Sequence, residues 1–146
     1  MSAFRRPQAA ELARRLDEPR RHLQVVTGAR QVGKTTLVQQ VTEDLRRPVR
    51  FVSADEPTMR DTAWLRQQWD AARLEAGPAG GVLVVDEVQK VESWSETVKH
   101  LWDEDTRERR PLRVVLLGSA PLLIERGLTE SLAGRFETLH LPHWSW

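Results

Sequence analysis

The stretch TGARQVGKTTL, Thr27 to Leu37, follows the apolar run LQVV and decides which fold we expect. Residues 28–35 match the pattern G-x-x-x-x-G-K-[ST] without a gap, a pattern that joins a strand to a helix through a phosphate-binding loop. Apolar residues at helical spacing come next, namely Leu37, Val38, Val41 and Leu45. The order of strand, loop and helix is therefore the context that the motif requires.

The residue types of this loop suit a polyphosphate. A loop that wraps phosphates aims successive backbone N–H groups inward, and Gly28 and Gly33 supply the conformational freedom for this. A helix that begins at Lys34 adds unpaired N–H groups, while the Lys34 ammonium suits the β- and γ-phosphates and the Thr35 hydroxyl suits Mg²⁺. The predicted nucleotide-binding residues are Gly28, Ala29, Arg30, Gln31, Val32, Gly33, Lys34, Thr35 and Thr36.

Short continuous apolar runs predict the strands of a sheet. They are LQVV, VRFV, VLVV and VVLL, at residues 23–26, 49–52, 82–85 and 114–117. Runs that are apolar on both faces are typical of parallel strands covered by helices on each side. Ser93 and Glu96 have the spacing of a capping box, so a crossover helix is expected there. We predict an α/β fold with one doubly wound, mostly parallel sheet, and a single domain over residues 1–146.

Two acidic residues, Asp86 and Glu87, end the buried strand GVLVVDE. A Walker B aspartate at such a position holds the magnesium shell, and the next carboxylate orients or deprotonates a water. By themselves these residues could equally cap a helix. Beside a phosphate loop they predict that Asp86 and Thr35 are metal ligands and that Glu87 is catalytic, together with Lys34.

Ser119 follows the strand VVLLG. Open α/β sheets bind ligands at the carboxyl ends of their strands, so Ser119 is a candidate for positioning the attacking water if its strand lies between the other two. The alternative is that Ser119 caps the next helix.

Composition narrows the class of protein. The chain has 146 residues and a formal net charge of +1, which gives no global electrostatic argument for nucleic acid or an anionic membrane. It has no cysteine, which excludes disulfides, thiolate catalysis and cysteine-based zinc sites. No apolar run approaches the roughly 20 residues of a membrane span. We expect a cytoplasmic protein without a membrane partner.

These segments resemble the AAA-type P-loop ATPases of bacteria and archaea, in which the ATPase module is followed by a domain of unknown function. TGARQVGKTTL resembles the phosphate loop of that group, VVDEVQKVESW its Walker B segment, and LLGSAPLLIERGLTESLAGRFETLHLP its sensor strand and the stretch after it. The resemblance covers the chain from about Leu23 to Pro142. It implies ATP as the nucleotide, Mg²⁺ as cofactor, and an additional sensor strand between the Walker A and Walker B strands.

The resemblance also marks Arg135, in SLAGRF, as an arginine that acts on the γ-phosphate. Such an arginine, in its own chain or from a neighbouring subunit, contributes several powers of ten to the rate. Gln89 resembles a position that the family keeps, and the sequence assigns it no physical role. The family usually has proline at the position of Ala29, and hydroxyl residues at the positions of Leu117 and Ala120.

Length is a further departure, since family members continue well beyond LHLPHWSW. The expectation is an ATPase core truncated before a following domain, with that domain or a neighbouring subunit as its partner. ATP hydrolysis that drives a conformational change in this partner is the leading interpretation. The main alternative is a nucleotide-dependent switch with negligible turnover in this form. A small-molecule kinase would need an arginine-rich lid that we do not find, and a GTPase would need an Asn-Lys-x-Asp element.

The remaining candidates have simpler interpretations. The arginines of FRRPQ and ARRLDEPRRH could contact nucleic acid, but acidic residues interrupt them, which favours an ordinary solvated helix. Trp144 and Trp146 either wait for further chain or fold back onto the core. Tryptophans at helix-like positions are expected to be packing residues, namely Trp64, Trp69, Trp94 and Trp102.

Overall fold

The computed structural model describes residues 7–28, 33–55 and 60–141. The helices there are α1 Pro7–Asp17, α2 Lys34–Glu43, α3 Thr62–Ala76, α4 Trp94–Glu108 and α5 Pro121–Ser131. The strands are β1 Leu23–Thr27, β2 Val49–Ser53, β3 Val82–Asp86, β4 Arg113–Gly118 and β5 Phe136–His140. A short 3-10 helix, Val88–Lys90, follows β3.

The strands form one parallel sheet in the order β2-β3-β4-β1-β5. The strand that follows the Walker B segment in sequence, β4, therefore lies between β3 and β1. This confirms the α/β prediction and the additional strand between the Walker A and Walker B strands.

Helices cover both faces of the sheet and give two apolar cores. Side chains alternate between the faces of a strand, so Val25 packs with α3, α4 and α5, while Val26 packs with α1 and α2. Leu116 and Leu117 of β4 divide between the two cores in the same way. Strands buried on both faces explain why the central strands are continuous apolar runs.

The two edge strands differ from the sequence interpretation. The apolar run VRFV predicts burial on both faces, but β2 is an edge strand and each of its residues is only half-buried. No apolar run marks β5, which forms the opposite edge and whose sequence FETLH contains only two apolar residues, Phe136 and Leu139. Ser93 precedes α4 as expected, yet its side chain makes no capping bond, and its carbonyl accepts from Thr97 instead.

Trp69, Trp94 and Trp102 are buried in the core, and Trp64 packs against it, which confirms their packing role. Trp144 and Trp146 lie outside the described residues.

Acidic residues pair with the arginines of α1 in the described part of the chain. Arg14 pairs with Glu11 and Glu18, and Arg15 pairs with Glu11. Arg20 lies over the Trp102 ring, 3.5 Å from its centroid. These contacts agree with the solvated-helix interpretation for the described residues, whereas Arg5 and Arg6 of FRRPQ lie outside them.

Candidate nucleotide-binding site

The site lies at the carboxyl edge of the sheet, where β1, β3 and β4 end side by side. Thr27 at the end of β1 is in register with Gly118 at the end of β4. The Gly28 N–H donates to the Gly118 carbonyl at 3.3 Å, which ties the start of the phosphate loop to the sensor strand. The polar residues that follow these strands therefore lie close together.

The far end of the loop leads directly into α2. Gly33 precedes this helix with φ 80° and ψ 25°, a left-handed conformation that glycine adopts without steric cost. The Gly33 carbonyl accepts from the Leu37 N–H at 2.9 Å, which starts the helix. Thr35 and Thr36 lie in the first turn, whose N–H groups have no side-chain cap. Four predicted loop residues lie outside the described residues, namely Ala29, Arg30, Gln31 and Val32.

Three of the predicted catalytic residues meet at Glu87. Its side chain is only 3% exposed, and its Oε1 lies 3.7 Å from Nζ of Lys34, which is equally buried. Its Oε2 accepts a hydrogen bond from Ser119 Oγ at 2.7 Å. Ser119 therefore makes a contact within the site. It does not cap α5, because the residue in the capping position directly before Pro121 is Ala120. The arrangement puts a buried carboxylate beside the lysine of the phosphate loop.

Asp86 fits a magnesium ligand. Burial and the neighbouring charge of Glu87 raise the pKa of Asp86, because both disfavour its ionised form. Its Oδ1 is buried and accepts no hydrogen bond from the described residues. A divalent cation would offset both effects. Mg²⁺ is usually held by one or two carboxylates together with substrate phosphates and water, and Asp86 offers one such carboxylate oxygen.

Comparison with known families agrees with this geometry. Residues 20–146 match the model of a family described as AAA domain. The chain belongs to this AAA domain family. An AAA-type P-loop core with a nucleotide-binding ATPase site is therefore its general character, and AAA ATPases generally bind ATP with Mg²⁺.

Two mycobacterial relatives extend over a much longer chain. They are uncharacterized proteins of Mycobacterium bovis and Mycobacterium tuberculosis, each 34% identical to this chain over 143 residues. The alignment covers 94% of this chain but 28% of each relative. The AAA domain thus corresponds to less than a third of these curated proteins.

A solved structure shares the fold. A chain from a structural study of katanin self-assembly superposes with a TM-score of 0.59 at 19% identity, and covers 96% of this chain and 47% of its own. At this identity the likeness concerns the fold. Across the described residues, no helix has both the length and the apolar character to cross a bilayer.

Arg135 lies far from the other predicted catalytic residues. Its carbonyl accepts from the N–H of Leu23, the first residue of β1, so it lies at the amino edge of the sheet. The length of β1, roughly 13 Å at a rise of about 3.3 Å per residue, separates this edge from the phosphate loop. The Arg135 guanidinium instead holds both carboxylate oxygens of Asp103, at 2.8 and 3.0 Å. A contact with the γ-phosphate of its own chain is therefore not supported.

The sequence interpretation missed two partners. Asp103, which binds Arg135, gives no signal because it is 32 residues away along the chain. Gln89, to which the sequence assigns no role, donates from Nε2 to Glu87 Oε2 at 3.4 Å. The sequence signals were its resemblance to a position that the family keeps and its place two residues beyond Glu87, and the second becomes informative only once the turn between them is known.

Proposed function

We propose that this AAA domain hydrolyses ATP with Mg²⁺ and that hydrolysis changes the conformation of a partner domain or subunit. The observation that carries the proposal is the buried Glu87 carboxylate, 3.7 Å from Lys34 and hydrogen-bonded by Ser119. A domain that only holds a nucleotide needs the lysine, whereas hydrolysis also needs a group that orients and deprotonates water.

Each residue has a distinct role in this proposal. The first turn of α2 and Lys34 bind the phosphates, and Thr35 and Asp86 hold Mg²⁺. The bound Mg²⁺ would supply charge compensation for the phosphates. Glu87 accepts a proton from the attacking water, and Ser119 fixes the carboxylate in orientation. Because Lys34 is paired with Glu87 in the free chain, phosphate binding must draw the ammonium away and release that carboxylate oxygen.

Arg135 enters the proposal only through a neighbouring copy of the chain. It lies at the edge opposite its own phosphate loop, so its proposed role is to contact the γ-phosphate held by another copy. Katanin, whose chain shares this fold, was solved in a study of its self-assembly, which supports contacts between copies as an arrangement open to the fold. Asp103 would release Arg135 when the neighbour's phosphate takes its place.

The position of Arg135 also favours a second candidate function. Without a neighbouring copy, no Arg135 from the amino edge of another sheet reaches the site, and turnover would then be negligible. The isolated chain would then be a nucleotide-dependent switch that holds ATP and Mg²⁺ without releasing phosphate.

The test measures ATP binding and phosphate release, with Mg²⁺, for the wild type, Lys34→Ala and Glu87→Gln. We expect Lys34→Ala to lose nucleotide binding, and Glu87→Gln to bind ATP while phosphate release falls by roughly 100- to 10,000-fold, the range typical of a lost general base. The matched controls are Lys99→Ala and Glu92→Gln, because both residues are exposed.

The outcomes separate the two candidates. Equal loss of binding in both site variants would contradict the separate roles of Lys34 and Glu87. Binding by the wild type without phosphate release, at every protein concentration, would favour the switch. A rate per chain that rises with protein concentration, and that Arg135→Ala abolishes, would support the role of Arg135 in a neighbouring copy.

A further inference from the structure

The side chain of Gln89 contacts the carboxylate that we propose as the catalytic base. Gln89 Nε2 lies 3.4 Å from Glu87 Oε2, the same oxygen that accepts from Ser119 Oγ at 2.7 Å. Two donors thus converge on one oxygen, while the other oxygen faces Lys34. Together they set the orientation of the carboxylate.

An unusual turn brings Gln89 to this position. Glu87 has φ 55° and ψ 44°, a left-handed conformation that is uncommon for a residue with a side chain. The 3-10 helix that follows is closed by hydrogen bonds from Lys90 N to Glu87 O and from Val91 N to Val88 O, at 3.1 and 3.0 Å. The chain therefore folds back at once, and the side chain at position 89 lies over that of position 87. Backbone strain of this kind is concentrated at functional sites.

Gly118 leaves room for the Gln89 amide. A Cβ on Gly118 would lie 2.8 Å from Gln89 Oε1 and 2.6 Å from two carbons of Ile124, closer than side chains tolerate. A side chain at position 118 would therefore require Ile124 and Gln89 to shift. The same glycine accepts the Gly28 N–H and precedes Ser119. The Gln89 amide thus occupies space that the missing side chain of Gly118 leaves open beside the start of the phosphate loop.

Packing does not account for an amide at this position. Gln89 Oε1 is buried and has no hydrogen-bond partner among the described residues. A buried polar atom without a partner is unfavourable, and an apolar side chain of similar shape would avoid that cost. The amide is explained by what its Nε2 donates to.

We infer that Gln89 is a positioning residue, which together with Ser119 holds the Glu87 carboxylate in the orientation that accepts a proton from water. This inference rests on the proposed function, because it assumes that Glu87 is the base. The 3.4 Å contact suits a nucleotide-free chain, since catalytic hydrogen bonds are often long until substrate binds. Gln89 acts through Glu87 and does not bind the phosphates.

The first test is the kinetics of Gln89→Met, which keeps the shape of the side chain and removes the donor. We expect kcat to fall roughly 10- to 100-fold, as for the loss of a hydrogen bond to a charged group, while KM and the Kd for ATP stay within about twofold. The matched control is Gln67→Met on the exposed side of α3. An unchanged kcat, or a Kd that weakens as much as kcat falls, would overturn the inference. If Gln89→Met does not fold, Gln89→Asn, whose amide is too short to reach Glu87, replaces it with the same expectation.

The second test needs no turnover. Crystal structures of the nucleotide-free wild type and Gln89→Met compare the Glu87 carboxylate directly. We expect the carboxylate to leave its contact with Ser119 Oγ in the variant. A carboxylate that stays in place would overturn the inference, whatever the kinetics show. If the wild type and Gln67→Met release no phosphate, the proposed hydrolysis fails, and these structures still decide whether Gln89 positions Glu87.

Discussion

Two buried carboxylates lie toward opposite edges of this sheet and are held in different ways. Asp105, toward the amino edge, is fully buried in α4. Trp69 Nε1 donates to it at 2.8 Å, Arg110 Nη1 donates at 3.2 Å, and Arg73 Nε forms an ion pair at 2.8 Å. Glu87, toward the carboxyl edge, accepts from Ser119 Oγ at 2.7 Å and from Gln89 Nε2 at 3.4 Å, and Lys34 Nζ lies 3.7 Å from its other oxygen.

The difference separates a structural carboxylate from the one that we propose as the catalytic base. Two hydrogen bonds and an ion pair surround Asp105, so a further ligand would have to displace one of them. Glu87 adopts a left-handed backbone, and its ion-pair partner is the lysine expected to bind phosphate. Its neighbour Asp86 has a buried oxygen that no described residue bonds. The Asp86 oxygen therefore leaves a binding position open at the carboxyl edge, whereas the oxygens of Asp105 are bonded within the fold.

The largest effect on stability is expected when the structural carboxylate, Asp105, is removed. Asp105→Ala leaves a buried indole N–H without a partner and removes the anion next to two arginines. The loss of one partner of a buried ion pair costs about 3–5 kcal/mol, and we expect the free energy of unfolding in urea to fall by that amount.

Asp70→Ala is the matched control for Asp105→Ala. Asp70 pairs with the same Arg73 at 3.0 Å, but its side chain is 65% exposed. Exposed pairs contribute roughly 0–1 kcal/mol, so this variant should lose much less stability. Losses that agree within about 1 kcal/mol would show that burial does not distinguish the two carboxylates.

The second predicted effect on stability has the opposite sign, because replacing Asp86 by Asn should stabilise the nucleotide-free protein. Because burial and Glu87 raise the pKa of Asp86, ionisation of Asp86 is less favourable in the folded than in the unfolded chain. As pH rises above the unfolded value of 3.8 towards the raised folded pKa, the wild type should lose stability relative to Asp86→Asn. Above the folded pKa the difference stays constant, and Asp86→Asn is the more stable protein.

Urea unfolding of both nucleotide-free proteins over a pH series measures this difference, and the subtraction removes the titration of the other groups. A wild type that gains stability relative to Asp86→Asn as pH rises would contradict the environment described for Asp86. ATP with Mg²⁺ should reverse the order of stability, since it binds the folded wild type.

The sequence predicts the carboxyl edge better than the amino edge for a physical reason. Parallel strands end together, so the residues that follow apolar runs converge, and this brings Lys34, Glu87 and Ser119 into one prediction. The edge strand β5 is missed because it lacks a continuous apolar run. Contacts such as Gln89 with Glu87 depend on a left-handed turn that the residue types there do not require.

Arg135 shows the limit of a motif. The motif marks the residue, but only the sheet shows that Arg135 lies at the amino edge, just before β5 and at the other end of β1 from its own phosphate loop. The pairing of Arg135 with Asp103 could not be predicted from the sequence either, because Asp103 lies in α4, 32 residues away along the chain.

The smallest expected effect concerns this Arg135–Asp103 pair, which is a third kind of carboxylate site. Its side chains are 31% and 37% exposed, so solvent screens the pair, and Asp103→Asn should cost less than about 1 kcal/mol at neutral pH. The Arg135 guanidinium lowers the pKa of Asp103. The stability from this pair is therefore present above the unfolded pKa and is lost as pH falls through the lowered folded pKa.

This pH dependence is opposite in sign to that of Asp86, because the wild type loses its advantage over Asp103→Asn as pH falls. Urea unfolding of Asp103→Asn, Arg135→Met and the double variant isolates the pair energy, which high salt should also reduce. A coupling as large as the loss expected at Asp105 would contradict a pair that opens readily. A small coupling is what a neighbouring phosphate needs, since Arg135 can then exchange Asp103 for that phosphate at little cost in stability.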